Sequence, residues 1–394
     1  MDKTPKYPLA SDTIDKNDIL EYTKWLLSMP RMTMDVLTKQ YEKEWANHLG
    51  RKYAIFCNSG SSANLLMYYA LLCSSKLMNK KVIVPSTGWV TSVAPAIQLG
   101  FEPIMCESDG DTFGLDLEHL EELIKKNNPA SVMMVQALGV PHKMNELLAL
   151  QEKYGFFLLE DACAAVGSSY KGKKLGTFGD MSSFSTYYGH QSPTVEGGLV
   201  FTDDQEFYNL SVMLRSHGWG QHLDPETYDR IFGKYNISTA HRPFAFFYPG
   251  FNVRPTDMQA FLGLGQLRKL DWTIQRRSEN HELYRALLGP HLRVQKYPTD
   301  DVIVCSISFA ILAENSEQRD RIANALEENS IEKRFYSAGN LGLHPFWYDH
   351  YGKFQAPMAT RIYDCGLFLP NNPNLVAKDI EFISSVVLKS LGRA

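Results

Sequence analysis

The chain has 394 residues, a formal net charge of -4, 44% hydrophobic residues and 21% charged residues. That length allows a large core and more than one lobe. The charge leaves no basic face for nucleic acid and no Lys/Arg cluster for a membrane surface. The N-terminus, M-D-K-T-P-K-Y-P, lacks the apolar stretch of a signal peptide. No segment approaches the ~18 consecutive apolar residues of a membrane span. The six cysteines (Cys57, Cys73, Cys106, Cys163, Cys305, Cys365) are scattered, without C-x-x-C or C-x-C pairs. The expectation is a cytoplasmic protein with reduced thiols and no metal, since zinc and iron–sulfur sites need closely spaced thiolates.

From about residue 35 to 250, short apolar runs alternate with amphipathic stretches. The runs Tyr53–Cys57, Lys81–Val84, Glu102–Cys106, Ser131–Val135, Phe156–Leu159, Ser182–Thr186 and Gly198–Thr202 predict strands. Leu117–Lys126 and Met144–Tyr154 predict helices between them. This alternation implies an α/β fold with a mainly parallel central sheet covered by helices on both faces. In such sheets, ligands bind beyond the carboxyl ends of the strands. Asp224–Phe247 is aromatic, with little periodicity, and is expected to be an excursion covering the site or another subunit. After Arg254-Pro255 the pattern changes to a long helix, Thr256–Leu288, an apolar strand near Val302–Leu312 and a helix Ser316–Asn329. The expected organisation is a large domain, 1–255, with an N-terminal arm, and a smaller C-terminal α+β lobe, 256–394.

Four stretches sit at predicted strand ends. C-N-S-G-S-S-A-N-L-L leads into a helical pattern from Ala63, and its backbone N–H groups suit a phosphate. There Gly60 allows close approach and Ser61 adds a hydroxyl, but an ordinary helix N-cap has the same composition. P-S-T-G-W-V-T places Trp89 where an indole can stack on a flat ring or simply pack. L-L-E-D-A-C-A-A-V-G brings an acidic pair to the mouth of the sheet, to hold a protonated pyridine nitrogen or to cap a structure. The fourth stretch is G-D-M-S-S-F-S-T-Y-Y-G-H-Q-S-P-T-V-E-G-G. It offers Ser185 as a second phosphate donor and Gly197-Gly198 for a tight reversal. A lone histidine such as His190 is usually structural.

Taken in order, these stretches resemble the pyridoxal-phosphate fold type I proteins of the DegT/DnrJ/EryC1/StrS sugar aminotransferase family. The resemblance also runs through Y-P-L-A-S, R-M-T-M, L-R-S-H-G-W, P-G-F-N-V-R-P-T-D-M-Q-A, G-L-G-Q-L-R-K-L and I-E-K-R-F-Y-S-A-G-N. It implies Asp161 at the ring nitrogen of the cofactor, Trp89 stacked on the ring, and Gly60, Ser61 and Ser185 at its phosphate. Asn252 matches a residue supplied by the neighbouring subunit, which implies a homodimer with shared active sites. The family's cofactor-tethering lysine, six residues before Glu196, falls on His190.

Histidine cannot tether an aldehyde but can still move a proton near neutral pH. In this respect the chain resembles the GDP-4-keto-6-deoxy-D-mannose 3-dehydratase branch of the family. That resemblance implies untethered pyridoxal or pyridoxamine 5'-phosphate and a nucleotide-linked 4-keto sugar as substrate. His190 would be the catalytic base for loss of the C3 hydroxyl in deoxysugar biosynthesis, and glutamate would restore the amine. His217, Gln221, Glu332 and Arg334 are the candidate substrate contacts. Gly189, Gln191, Ala164 and Gln221 depart from the branch's pattern. Two alternatives stay open: an aminotransferase using His190 as proton carrier, or a lysine-substituted variant of one, and a non-catalytic sugar-binding relative.

Overall fold

The computed structural model describes residues 5–336 and 339–393. Ser337 and Ala338, within the I-E-K-R-F-Y-S-A-G-N motif, lie outside the described residues, as do the first four of the chain. Seven strands form the central sheet: β1 (Tyr53–Cys57), β2 (Lys81–Pro85), β3 (Glu102–Cys106), β4 (Ser131–Val135), β5 (Phe157–Asp161), β6 (Met181–Ser185) and β7 (Gly198–Thr202). Their order is β1-β7-β6-β5-β4-β2-β3. Only β7 runs against its neighbours. β6, β5, β4, β2 and β3 are all parallel.

Alternation along the strands divides the apolar residues between two cores, one on each face. Phe56, Ile83, Val132, Met134, Leu158, Leu199 and Phe201 point to one core. Ile55, Val82, Val84, Met133, Leu159 and Val200 point to the other. The first face is covered by Tyr41 and Trp45 of the helix Val36–Leu49 and by Leu120, Ile124, Met144 and Leu147 of the two expected helices. The second is covered by helix α1 (Gly60–Cys73) through Ala63, Leu66, Met67 and Ala70. Sheet and covering helices together leave the carboxyl ends of β1, β5 and β6 as the place for polar side chains.

Helix α2 (Asp257–Leu288) starts where Arg254-Pro255 ends the extended chain. Thr256 and Gln259 form a reciprocal cap, with Thr256 N donating to Gln259 Oε1 at 2.8 Å and Gln259 N donating to Thr256 Oγ1 at 3.2 Å. Its first half packs Ala260, Leu264 and Leu270 under the central sheet. Its second half places Tyr284 and Leu288 in a third core with Phe309, Ile311, Ile322, Leu326, Leu367 and Ile383. The second sheet there is antiparallel: Arg293–Val294, Ser308–Leu312, Gly366–Pro370 and Arg334–Phe335 in spatial order.

Three expectations need correction. The strand expected over Val302–Leu312 is two: Val302–Ile303 pairs with Ser169–Tyr170, and Ser308–Leu312 enters the second sheet. The break between them carries the carbonyls of Cys305, Ser306 and Ile307, which serve buried side chains instead of a ladder. The Asp224–Phe247 excursion, which shows little periodicity in the sequence, contains a helix over Pro225–Lys234, which Asp224 caps by accepting from Thr227 N at 2.9 Å. The helix expected from Ala63 begins at Gly60, because Ser59 Oγ accepts from Ser62 N at 3.1 Å. Among the described residues no helix is long and apolar enough to cross a membrane.

Candidate active site

Asp161 is the last residue of β5 and is 5% exposed. Its Oδ2 accepts from Asn64 Nδ2 at 2.8 Å and from Ser92 Oγ at 2.6 Å. Its Oδ1 accepts from Cys163 N at 3.1 Å. Asn64 is in turn oriented by Ser183 Oγ, which donates to Asn64 Oδ1 at 2.6 Å. A buried carboxylate needs such donors, and here they come from α1, the turn after Trp89 and the turn after β5, with β6 orienting Asn64. Asn64 and Ser92 were not singled out in the sequence. Asn64 lies in the S-G-S-S-A-N motif one helical turn past Gly60, and that spacing was the available signal.

Ser185 ends β6 beside Gly60, the first residue of α1. A Cβ on Gly60 would come within 2.7 Å of Ser185 Cβ, so the bare glycine lets the helix N-terminus close on the strand end. The amides of Gly60 and Ser61 lie in the first turn, where helix geometry leaves N–H groups without intrahelical partners. Ser61 is exposed and Ser185 Oγ accepts only from Tyr187 N, at 3.3 Å. Gly197 and Gly198 have negative φ and no reversal role. They are small because a Cβ would meet Thr186 Oγ1 and Ser59 O respectively, each at 2.3 Å.

His190 sits on a loop closed at its base by the amide of Thr186 on Gly197 O (2.9 Å) and that of Thr194 on Thr186 O (2.7 Å). Its Nδ1 lies 2.8 Å from Cys163 O, so the residue that binds Asp161 through its amide also binds the imidazole through its carbonyl. Burial pushes the imidazole down to about 4; the Cys163 carbonyl opposes this, the Arg277 charge adds to it, and Asp161 opposes it. The ring keeps part of its surface open, and solvent there tempers the size of the push. Its direction, toward a neutral imidazole, is what the chemistry uses. Gly189 needs its left-handed φ of +87°, and a Cβ there would meet Ala10 Cβ at 2.6 Å. Gln191 is 1% exposed and donates from Nε2 to Ala164 O (2.9 Å) and Cys305 O (2.7 Å). Gly189, Gln191 and Ala164 are thus linked parts of the loop's anchorage.

The outer candidates are arranged differently. Trp89 is 55% exposed. Among the described residues, the side chains of Trp89, His217, Gln221, Asn252 and Arg334 make no hydrogen bond, ion pair or ring contact. Asn252 is exposed and pairs through its backbone with Ser216, which sets it beside His217. Glu332 is engaged: its Oε2 accepts from Leu9 N at 2.8 Å and pins the N-terminal arm. Glu332 and Arg334 make no ion pair with each other. The chain therefore groups Gly60, Asp161, Ser185 and His190 around Cys163. It does not bond His217, Gln221, Asn252 or Arg334 to any of these four.

Residues 13–388 match the DegT/DnrJ/EryC1/StrS aminotransferase family. The chain belongs to that family. It is similar to the GDP-4-keto-6-deoxy-D-mannose 3-dehydratase of Yersinia pseudotuberculosis, with 34% identity over 85% of this chain and 85% of the relative. A solved GDP-4-keto-6-deoxymannose-3-dehydratase with bound GDP-perosamine superimposes with a TM-score of 0.89 and 30% identity, covering 97% of this chain and 100% of the other. Another structure of such a dehydratase, with a trapped PLP-glutamate geminal diamine, gives a TM-score of 0.87 and 29% identity, covering 97% and 100%.

The family is pyridoxal-phosphate dependent, and this pocket suits that cofactor. The closely packed Gly60–Ser185 contact makes an anion cradle at a helix end. The Asp161 carboxylate, fixed by three donors, offers a permanent partner for a protonated ring nitrogen. Among the described residues there is no cluster of three or more His, Cys, Asp or Glu side chains able to hold a metal ion.

Proposed function

We propose that the chain is a PLP/PMP-dependent C3 dehydratase of a nucleotide-linked 4-keto-6-deoxy sugar, with glutamate as the amine donor. The observation that carries this reading is an imidazole, hung from the Cys163 carbonyl, at the family's tethering position, where burial disfavours its charged form. A lysine there serves both to tether and to move protons; an imidazole serves only the second.

When bound, pyridoxamine phosphate supplies an amine for the sugar's C4 ketone and a ring that carries charge between donor and acceptor bonds. Gly60, Ser61 and Ser185 would hold its phosphate, Trp89 would stack on its ring, and Asp161 would hold its ring nitrogen in the protonated form. Asn64 and Ser92 fix the Asp161 carboxylate for that task. With Nδ1 committed to Cys163 O, His190 would be left with Nε2 as the atom able to accept a proton from the bound cofactor and to return it to the departing C3 hydroxyl. Overall, a 4-keto sugar and glutamate yield the 3-deoxy ketosugar, 2-oxoglutarate and ammonia: the sugar carbon is reduced and the amino acid oxidised.

His217, Gln221 and Arg334 are free to meet the substrate, and Glu332 does so only while still holding the arm. The exposed Asn252 completes the site of a second copy, which makes the active unit a homodimer with shared sites. We further assign residues 1–255 and 256–394 as the two domains and the cytoplasm as the compartment, without a nucleic-acid or membrane partner.

The test is product analysis with purified protein, PLP, glutamate and GDP-4-keto-6-deoxymannose. Ammonia in equal amount to a 3-deoxygenated GDP-sugar is expected. A stable amino sugar without ammonia would replace dehydration by transamination, and the absence of any product or cofactor spectral change would favour a binding protein.

A further inference from the structure

Arg277, on α2, is fully buried at 0% exposed. Its Nη1 donates to the carbonyl oxygens of Asn371 (2.8 Å), Ile307 (3.1 Å) and Ser306 (3.3 Å). Its Nη2 donates to Gly189 O at 3.0 Å. Among the described residues no carboxylate pairs with it. A buried cation without a counter-charge is costly to keep and is not needed to fill space, which an apolar side chain does at lower cost. Its distinctive property is a rigid fork of donors that reaches several carbonyls at once.

Three of those carbonyls belong to the break after Val302–Ile303 and to the end of the strand Gly366–Pro370. The fourth belongs to the residue immediately before His190. On the other side of the histidine, Gln191 Nε2 holds Cys305 O. Both neighbours of the imidazole are therefore tied to the same stretch, 305–307.

We propose that Arg277 is a positioning residue for His190, holding the Gly189 carbonyl so that the ring keeps Nδ1–H on Cys163 O and presents Nε2 as an unprotonated base. This rests on the reading of His190 as the proton-transfer base. The groups facing the imidazole are few. Asp161, beyond Cys163, favours the imidazolium, and Arg277, from α2, disfavours it. The Cys163 thiol stays neutral because burial pushes it up. The Tyr187 ring stands edge-on at 6.3 Å. Arg277 thus offsets Asp161, which by itself would draw a proton onto the base.

The test uses the full-length protein with 15N-labelled histidine, the His190 signal being assigned by its loss in His190→Asn. In the wild type we expect the Nδ1–H tautomer, titrating at least about one unit below the ordinary value of about 6.5. Arg277→Lys keeps the charge and loses the fork. We expect an unchanged titration, a second tautomer and a kcat lower by about tenfold, with KM for glutamate altered by less than about threefold. Arg277→Gln loses the charge, and both the imidazole titration and the acid limb of kcat should move up by about one unit. The Nε2–H tautomer in the wild type, or folded variants that keep the wild-type tautomer, titration and kcat, would overturn the proposal. If Arg277→Gln does not fold, the wild-type spectrum and Arg277→Lys still decide it. If the variants shift the ring as expected while the wild type makes no deoxygenated product, the positioning role stands and the dehydratase reading fails.

Discussion

Asp161 and His190 stand among donors and acceptors supplied by four different elements, whereas the side chains of Trp89, His217, Gln221, Asn252 and Arg334 are exposed and, among the described residues, make no hydrogen bond, ion pair or ring contact. The inner end of the site is preorganised: its charges are held before any ligand arrives, and the core behind it does not need to move. The outer end is open, with exposed side chains at positions that only a ligand or a second copy can engage. The difference teaches where each kind of energy enters. Inside, the cost of ordering is met during folding. Outside, it is met on binding, which lets substrate and subunit contribute to the same event.

The largest expected effect lies at the inner end. His190→Asn should lower dehydration by about 100-fold or more, as loss of a general base does, while melting and cofactor retention stay near wild type. A variant that keeps its rate would remove the imidazole from the chemistry. His190→Lys should produce a visible absorbance band and hold the cofactor through gel filtration, with dehydration reduced.

Next comes the support of Asp161. Asn64→Ala removes a donor from a buried carboxylate and should cost about 1–3 kcal/mol of stability, with weaker cofactor binding. Denaturant melts with and without PLP measure both. A variant as stable as wild type would mean that the inner end is less preorganised than its geometry implies.

At the outer end, Trp89→Ala should weaken cofactor binding with little change in apo melting, because the indole is 55% exposed and makes no ring contact among the described residues. Mixing His190→Asn with Asn252→Ala tests whether the open end is shared. If Asn252 serves the partner's pocket, the mixed dimer contains one intact site, and activity should exceed that of either parent several-fold. Activity that only averages the parents would confine the site to one chain.

The smallest effect is on acid stability. His190 is pushed to about 4 and the buried His281 to about 3, in both cases mainly by desolvation. Above pH ~6.5 both folded and unfolded chains carry these rings neutral. As the pH falls below that value, the unfolded chain takes up protons that the folded chain refuses, so stability should decline toward pH 4. Urea midpoints between pH 7.5 and 4.5 should show this slope, and His281→Gln should reduce it.

The strands were legible because a doubly covered sheet writes itself as short apolar runs, and β1, β3, β4 and β7 occur at their expected bounds. Asp161, Ser185 and Gly60 were legible for a related reason: a parallel sheet exposes its carboxyl ends, so polar residues there stand out against the apolar run before them. What composition and spacing could not carry was any interaction between residues far apart in the chain. Gln191 looked like a departure from a pattern; tertiary contacts make it an anchor on Ala164 and Cys305. Arg277 looked like one charge in a helical run, and only folding buries it beneath Gly189. The break between Ile303 and Ser308 was hidden because an apolar run has the same composition whether its carbonyls serve a strand or a guanidinium.

By itself, then, the sequence determined the order of elements and the chemical types at each strand end, which follow from local periodicity and from a histidine where a lysine was expected. The tertiary structure alone decided how that histidine is held, with Nδ1 on Cys163 O and its loop tied to residues 305–307. The physical reason is that a tautomer and a shifted pKa depend on burial and on partners such as Cys163 and Arg277 that lie many turns of chain away, which no local pattern records.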